Sequence, residues 1–285
     1  MQTFAGRRSF IRGGVVVVAC FVWALTTSAQ SYNPANWMLD SFQASTTNFT
    51  LTNGNTDTPT FTAKGGATSG QNLAGNSAIG ATLTLVNPGD SITFTDQISL
   101  VGNSVQNGNL QLRYGLLYDN GSLTDTNWLG YFIGWPNANS QAGLYMRNNP
   151  NSGFYVSGTG ATNAQGTPQS WSGTVSAGTY NYSLSITLLS VSSDLVSWNI
   201  TGPSSFAYSG TYTNTSVSTK GGLTFDEVGF LCGTATWSSP STNSDAISFL
   251  DPTVTLVTVP EPSSFGLVGL GLAGFALARI RRCRR

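Results

Sequence analysis

The chain contains no histidine, and charged residues fill 8% of its 285 positions, against about 25% in an ordinary soluble domain. Without histidine there is no Ser-His-Asp triad, no Cys-His dyad and no imidazole for a zinc site. Cysteine is nearly absent as well. Cys20 lies in the leading apolar run, Cys283 among the closing arginines, and Cys232 stands alone between them. One thiol cannot form an internal disulfide, so the body has to hold by packing. Basic residues are scarce in the same stretch: between residues 30 and 262, Lys64, Arg113, Arg147 and Lys220 face twelve Asp and Glu, a net of −8. Nucleic-acid binding needs clustered Lys and Arg, so that class of partner is set aside. No amphipathic helical period and no clean repeat occurs between residues 30 and 258.

Glycine is abundant, at 33 residues, together with Ser, Thr and Asn, which compete with helical hydrogen bonds and favour turns and strands. An aromatic content of 11% argues against disorder. Period-two alternation marks the strands. Tyr180, Tyr182, Leu184, Ile186 and Leu188 share one face, and after a turn at Ser192-Ser193-Asp194 the residues Val196, Trp198 and Ile200 alternate again, which predicts an antiparallel hairpin. Ile92, Phe94, Ile98 and Leu100 share a face with Asp96 as its odd member. Leu110, Leu112, Tyr114, Leu116 and Tyr118 alternate ahead of Asp119-Asn120-Gly121, a hairpin-turn signal. WLGYFIGW, residues 128–135, is apolar on both faces and fits a central strand approached closely by other backbone. AISFL and TVTLVTV close the domain, and the small residues from Ala63 to Gly80 read as a long loop. The pattern predicts an all-β fold, an antiparallel β-sandwich or jelly roll.

The two ends differ from this body. Arg7, Arg8 and Arg12 precede an apolar run from Val15 to Leu25, and Thr27-Ser28-Ala29 supplies small residues before Gln30. That order is the order of a secretory signal peptide, residues 1–29, with cleavage between Ala29 and Gln30. RRSFIR is similar to a twin-arginine export signal and leaves that route open beside the general secretory one. Val17-Val18-Ala19-Cys20 is similar to a lipobox, but the apolar run continues past Cys20. At the other end, residues 262–278 carry no charge and as a helix would span about 25 Å, slightly short of a hydrocarbon core of about 30 Å. Arg279, Arg281, Arg282, Arg284 and Arg285 follow. By the positive-inside rule they form a cytoplasmic anchor, and the N-terminal arginines agree with it. The expected plan is a signal-peptide helix, a β-sandwich over residues 30–258 outside the membrane, and a transmembrane helix within residues 259–285.

Val259-Pro260-Glu261-Pro262, a glycine-laced apolar stretch and an arginine-rich end together resemble the PEP-CTERM sorting signal of Gram-negative bacteria. The resemblance covers the last 27 residues. It implies recognition by an exosortase-like membrane enzyme through Pro260, Glu261 and Pro262, with delivery to the cell surface or extracellular matrix and an association with exopolysaccharide. More loosely, LRYGLLYDNG, FDEVGFLCG and ISFLDPTVTLV resemble the concanavalin-like jelly rolls found ahead of such tails.

Catalytic chemistry is hard to find. Glycoside hydrolysis needs two opposed carboxyl groups about 5 to 9.5 Å apart, and Asp226 and Glu227, adjacent on a strand, point to opposite faces. Asp96 or Asp119 would have to complete such a site. No cofactor and no metal is expected. Asp119, Asn120 and Asp125 suit a calcium site or, more simply, a polar turn. For sugar stacking, Trp135 before Pro136 and Trp171 in a Ser/Gly-rich stretch are the surface candidates, whereas Trp198 alternates with core residues. The Asn-X-Ser/Thr triplets are what so Asn- and Thr-rich a composition produces by chance. The expectation is a non-enzymatic structural or adhesive protein. A carbohydrate-binding module is the alternative and a glycoside hydrolase-like enzyme the second alternative.

Overall fold

A computed structural model describes residues 27–39, 49–63, 73–102, 112–119, 129–135, 143–147, 161–164, 169–172, 175–232 and 245–260. No helix occurs among them. The terminal helices expected from the sequence, Glu261, Pro262 and the closing arginines lie outside the described residues, as do Asn120 and Asp125. The strands are β1 (Ser28–Tyr32), β2 (Trp37–Leu39), β3 (Phe49–Thr52), β4 (Thr60–Ala63), β5 (Leu73–Thr84), β6 (Ser91–Val101), β7 (Leu112–Tyr118), β8 (Leu129–Gly134), β9 (Gly143–Arg147), β10 (Ala161–Ala164), β11 (Gln169–Ser172), β12 (Gly178–Ser190), β13 (Ser193–Thr201), β14 (Ala207–Asn214), β15 (Thr224–Cys232), β16 (Ala246–Phe249) and β17 (Thr253–Thr258). They form an antiparallel two-sheet sandwich of the jelly-roll kind. One sheet has ten strands, ordered β11-β14-β13-β12-β6-β16-β4-β3, with β17 also on β6 and β1 on β17. The other has seven, ordered β10-β9-β8-β7-β15-β5-β2.

Alternation explains which side chains meet. Tyr180, Tyr182, Leu184, Ile186 and Leu188 all face inward, and β12 pairs with β13 from Asn181↔Thr201 to Ser190↔Ser193. On the facing sheet Leu112, Tyr114, Leu116, Tyr131, Ile133, Phe225, Val228 and Phe230 turn into the same core. β8 is an interior strand buried on both faces, as its two-sided apolar sequence requires. Its neighbours come so close that a Cβ on Gly115 would strike the Tyr131 carbonyl oxygen. The outer face of this sheet carries a second buried cluster of Ala74, Leu117, Phe132, Tyr145 and Leu231. Cys232 is fully buried at the end of β15, and burial pushes its thiol pKa upward.

Two expectations need correction. Residues 73–80 are not loop but the first part of β5. Their small side chains reflect close packing: a Cβ on Gly75 would lie 2.7 Å from Phe230 and 2.8 Å from Phe61. The hairpin turn is not confined to Asp119-Asn120-Gly121 either. β7 and β8 do form a hairpin, but Tyr118 pairs with Leu129, so the connection runs from 119 to 128.

Apolar packing does not by itself fix how one sheet lies on the other, and two polar tethers cross the core. Tyr114 Oη of β7 donates to Asp96 Oδ2 of β6 at 2.6 Å, and Tyr182 Oη of β12 donates to the Tyr114 carbonyl at 2.7 Å. Tyr131 Oη of β8 donates to Asp194 Oδ2 of β13 at 2.6 Å and accepts from Asn214 Nδ2 at 2.6 Å. Asp96 also explains its odd place on the apolar face. β6 pairs along one edge first with β17 and then with β16, and the gap between them is closed by Asp251 N–H donating to Asp96 Oδ1 at 3.0 Å.

The close approach of β7 and β8 gives a simple test. Gly115→Ala should lower unfolding free energy by roughly 1–3 kcal/mol or more, as measured by urea titration; unchanged stability would contradict the observed spacing.

Candidate functional site

The outer face of the ten-stranded sheet is the most distinctive surface. Its strands β1, β17, β6, β12, β13 and β14 contain only two charged residues, Asp96 and Asp194, and both are buried in the core. Most outward positions are hydroxyls and amides, with Leu195, Val257 and Val101 among the apolar exceptions. Register aligns Ser31, Thr255, Thr93, Ser185, Ser197 and Thr211 in one row across six strands. A second row holds Thr253, Thr95, Ser183, Asn199 and Ser209. Strand spacing places successive members about 4.8 Å apart, so the first row extends about 24 Å. Neighbours bond to one another: Ser31 Oγ and Thr255 Oγ1 are 3.0 Å apart, and Thr93 Oγ1 and Ser185 Oγ 3.1 Å. Two shallow depressions of about 380 and 310 Å³ lie here and share Ser183 and Asn199. Such a surface offers many neutral donors and acceptors, with the exposed Asp251 as the carboxylate at the margin of the smaller depression.

The titratable groups lie elsewhere. Burial raises Asp96 to about 7 and Asp194 to about 7, each against the pull of its tyrosine hydrogen bond. A third group gathers at one end of the central strands β7 and β15 of the seven-stranded sheet, where the register of β15 slips at Asp226. The slip breaks strict alternation and brings both Asp226 and Glu227 to Asp119, correcting the expectation that the adjacent acids are separated by the sheet. Asp119 N–H donates to Asp226 Oδ1 at 3.0 Å, and Asn76 Nδ2 donates to Glu227 Oε2 at 3.1 Å. Burial first, then the Asp119 charge, pushes the Glu227 carboxyl strongly upward; burial lifts Asp226 to about 6. Among the described residues, no cluster of acids or cysteine has the arrangement of a metal site.

Trp135 does not lie at the surface. It continues the inward period of Tyr131 and Ile133, its N–H donates to the Leu112 carbonyl at 2.9 Å, and its ring meets Tyr180 at 4.9 Å and Phe206 at 6.2 Å. Its fully buried ring has no face to offer a sugar. Trp171 is on β11, paired with Tyr208 of β14. Trp198 is a core residue, 3% exposed. The expected cleavage point, Ala29–Gln30, lies inside β1, where Ala29 pairs with Val257 and Gln30 with Leu256. Pro260 follows β17 after a single residue. Sequence reasoning missed the hydroxyl rows, because each strand contributes only one member to a row and the register that aligns them is not written in any one strand.

Residues 258–282 match the PEP-CTERM protein-sorting motif, which implies export and membrane-associated processing by an exosortase. In three dimensions the chain is similar to peanut lectin, with 9% identity and a TM-score of 0.46 over 83% of this chain and 99% of that one. It is also similar to basic winged bean lectin, with 11% identity and a TM-score of 0.44 over 83% and 100%. A third similar structure is lectin I-B4 of Griffonia simplicifolia, with 10% identity and a TM-score of 0.45 over 80% and 99%. These likenesses transfer no binding residue to the present chain. No curated protein matches it in sequence.

The buried acids set a pH dependence. The folded state keeps protons on Asp96 and Asp194 up to about pH 7, whereas the unfolded chain releases them near pH 4. Stability should therefore be greatest below about pH 4 to 5 as far as these groups decide it, and fall as pH rises through 7. Between about pH 4.5 and 8 the loss should amount to a few kcal/mol, read from urea midpoints, and Asp96→Asn should flatten the curve. A midpoint that rises over this range would overturn the assignment.

Proposed function

We propose that the protein is an exported surface or matrix component of a Gram-negative bacterium, structural or adhesive, and associated with exopolysaccharide. In this reading residues 1–29 are removed as a signal peptide, and residues 259–285 hold the chain in the membrane until an exosortase-like enzyme acts. The single observation that carries the role of the body is the pair of aligned hydroxyl-rich rows on the outer face of the ten-stranded sheet. A neutral, hydroxyl-rich polymer matches that face in chemistry and in repetition. Each hydrogen bond to it is weak in water, but a polymer engages many at once. Such contact favours a structural or weakly carbohydrate-binding part over a tight lectin pocket, since among the described residues the two hydroxyl rows contain no aromatic ring.

Polysaccharide should therefore retard the purified protein in affinity electrophoresis, with little dependence on salt because the members of the two rows are neutral. The combined variant Thr93→Val, Ser185→Ala, Ser197→Ala, Thr211→Val should fold and lose retardation by about tenfold. Unaltered retardation in that variant would remove the face from the reading.

One observation favours the hydrolase alternative: burial and the Asp119 charge raise the pKa of Glu227, and a carboxyl kept protonated is what the general acid of glycoside cleavage requires. Under the structural reading, neither the wild type nor Glu227→Gln releases reducing ends from exopolysaccharide. Release by the wild type that Glu227→Gln abolishes would establish the enzyme instead.

A further inference from the structure

The strand from which the sorting motif departs is held on both sides. β17 pairs with β6 from Thr253↔Thr95 to Val257↔Ser91 and with β1 from Val254↔Tyr32 to Thr258↔Ser28. Past Thr258 the hold passes to one side chain. Val259 N–H donates to Asp90 Oδ1 at 2.7 Å. Asp90 is 1% exposed, and its Oδ2 accepts from Val86 N–H at 3.0 Å and Asn87 N–H at 2.8 Å. The turn around it is rigid for identifiable reasons. Asp90 N–H donates to the Asn87 carbonyl at 2.8 Å, with Pro88 and a left-handed Gly89 (φ +98°) between them, the arrangement of a Pro-Gly β-turn. Leu188 of β12 bonds the same turn twice, accepting from Gly89 N–H and donating to the Asp90 carbonyl. The Val259 side chain rests over Gly89. Pro260 has no N–H, so Val259 supplies the last backbone donor before the motif.

We propose that Asp90 is a latch on the stem of the sorting motif: it holds Val259 against the β5–β6 turn, and C-terminal processing waits for that bond to open. The proposal rests on the exosortase reading above. An enzyme that seats Pro260-Glu261-Pro262 in a cleft must also accommodate the residues just before it, and these are tied into a sheet corner. The N-terminal event bears on the same corner. Cleavage after Ala29 removes Ser28 and Ala29, the partners of Thr258 and Val257 on β1. Thr258 has no partner on β6. Signal-peptide removal thus frees Thr258 and the β1 side of Val257 and leaves Asp90 as the last hold beyond Val257.

The test uses the full-length chain in membranes of a host that contains an exosortase, following loss of the tail by pulse labelling. Asp90→Asn keeps one oxygen for the turn donors but presents an NH2 group to Val259 N–H, so it breaks the latch and spares the turn. The charge-assisted bond lost is of a strength that opens the stem about tenfold more often, and tail removal should accelerate several-fold. A second chain with Gly-Ser-Gly inserted between Val259 and Pro260 leaves the latch closed but carries the motif away from it, and should also be processed faster. Wild-type rates in Asp90→Asn, with the insertion faster, would show that crowding alone limits processing, and the latch would fall. Unchanged rates in both would overturn the proposal as well. A wild-type tail that persists while another motif-bearing protein in the same membranes is cut would instead overturn the sorting reading, and the latch with it.

Discussion

Directional bonds between two otherwise greasy surfaces govern this sandwich. Contact between Phe94, Tyr114, Tyr182 and Phe249 favours burial but tolerates sliding. The pairs Tyr114–Asp96 and Tyr131–Asp194 do not, because each joins a strand of one sheet to a strand of the other at 2.6 Å. A carboxyl group placed in an apolar core is costly to ionise. The domain meets that cost by holding these acids near neutrality and supplying a phenol to each. Asp96 has a further task, since its other oxygen secures the chain where β16 gives way to β17.

The same division of labour orders the surface. Asp96, Asp194 and Arg147 are buried, and Ser, Thr and Asn dominate the broad outer face of the ten-stranded sheet. Arg147 is 1% exposed, and Arg113 lies over the Tyr145 ring at 4.2 Å. The sparse positive charge of the body is thus partly taken up in its own packing. What the solvent meets on the larger sheet is a lattice of mostly neutral hydrogen-bonding groups, bordered by the corner where β1 and β17 pair.

Much of the fold could be read from residue order. The alternation of Tyr180 to Leu188, the following Val196 to Ile200 and the two-sided greasiness of 128–135 each describe one strand, and one strand is what a short window can encode. Failures came where two distant windows must be combined. Asp96 stood out as an anomaly, but its partner Tyr114 is on the opposite sheet. Asp194 read as a turn residue and is a core acid. Trp135 looked exposed because proline follows it, yet its backbone remains bonded to Leu112. The glycines and alanines of 73–80 suggested a loop, when they are small because aromatic rings press on them. Asp226 and Glu227 obey alternation only where no bulge intervenes.

The lone thiol carries a consequence for how the domain matures. Cys232 is sealed in the interior, with no partner sulfur and a pKa displaced upward by burial, so it is neither a thiolate nor accessible to an oxidant. Within the described body nothing waits for oxidative cross-linking. The described body thus depends on no internal disulfide for its shape, and its one thiol is shielded from oxidants.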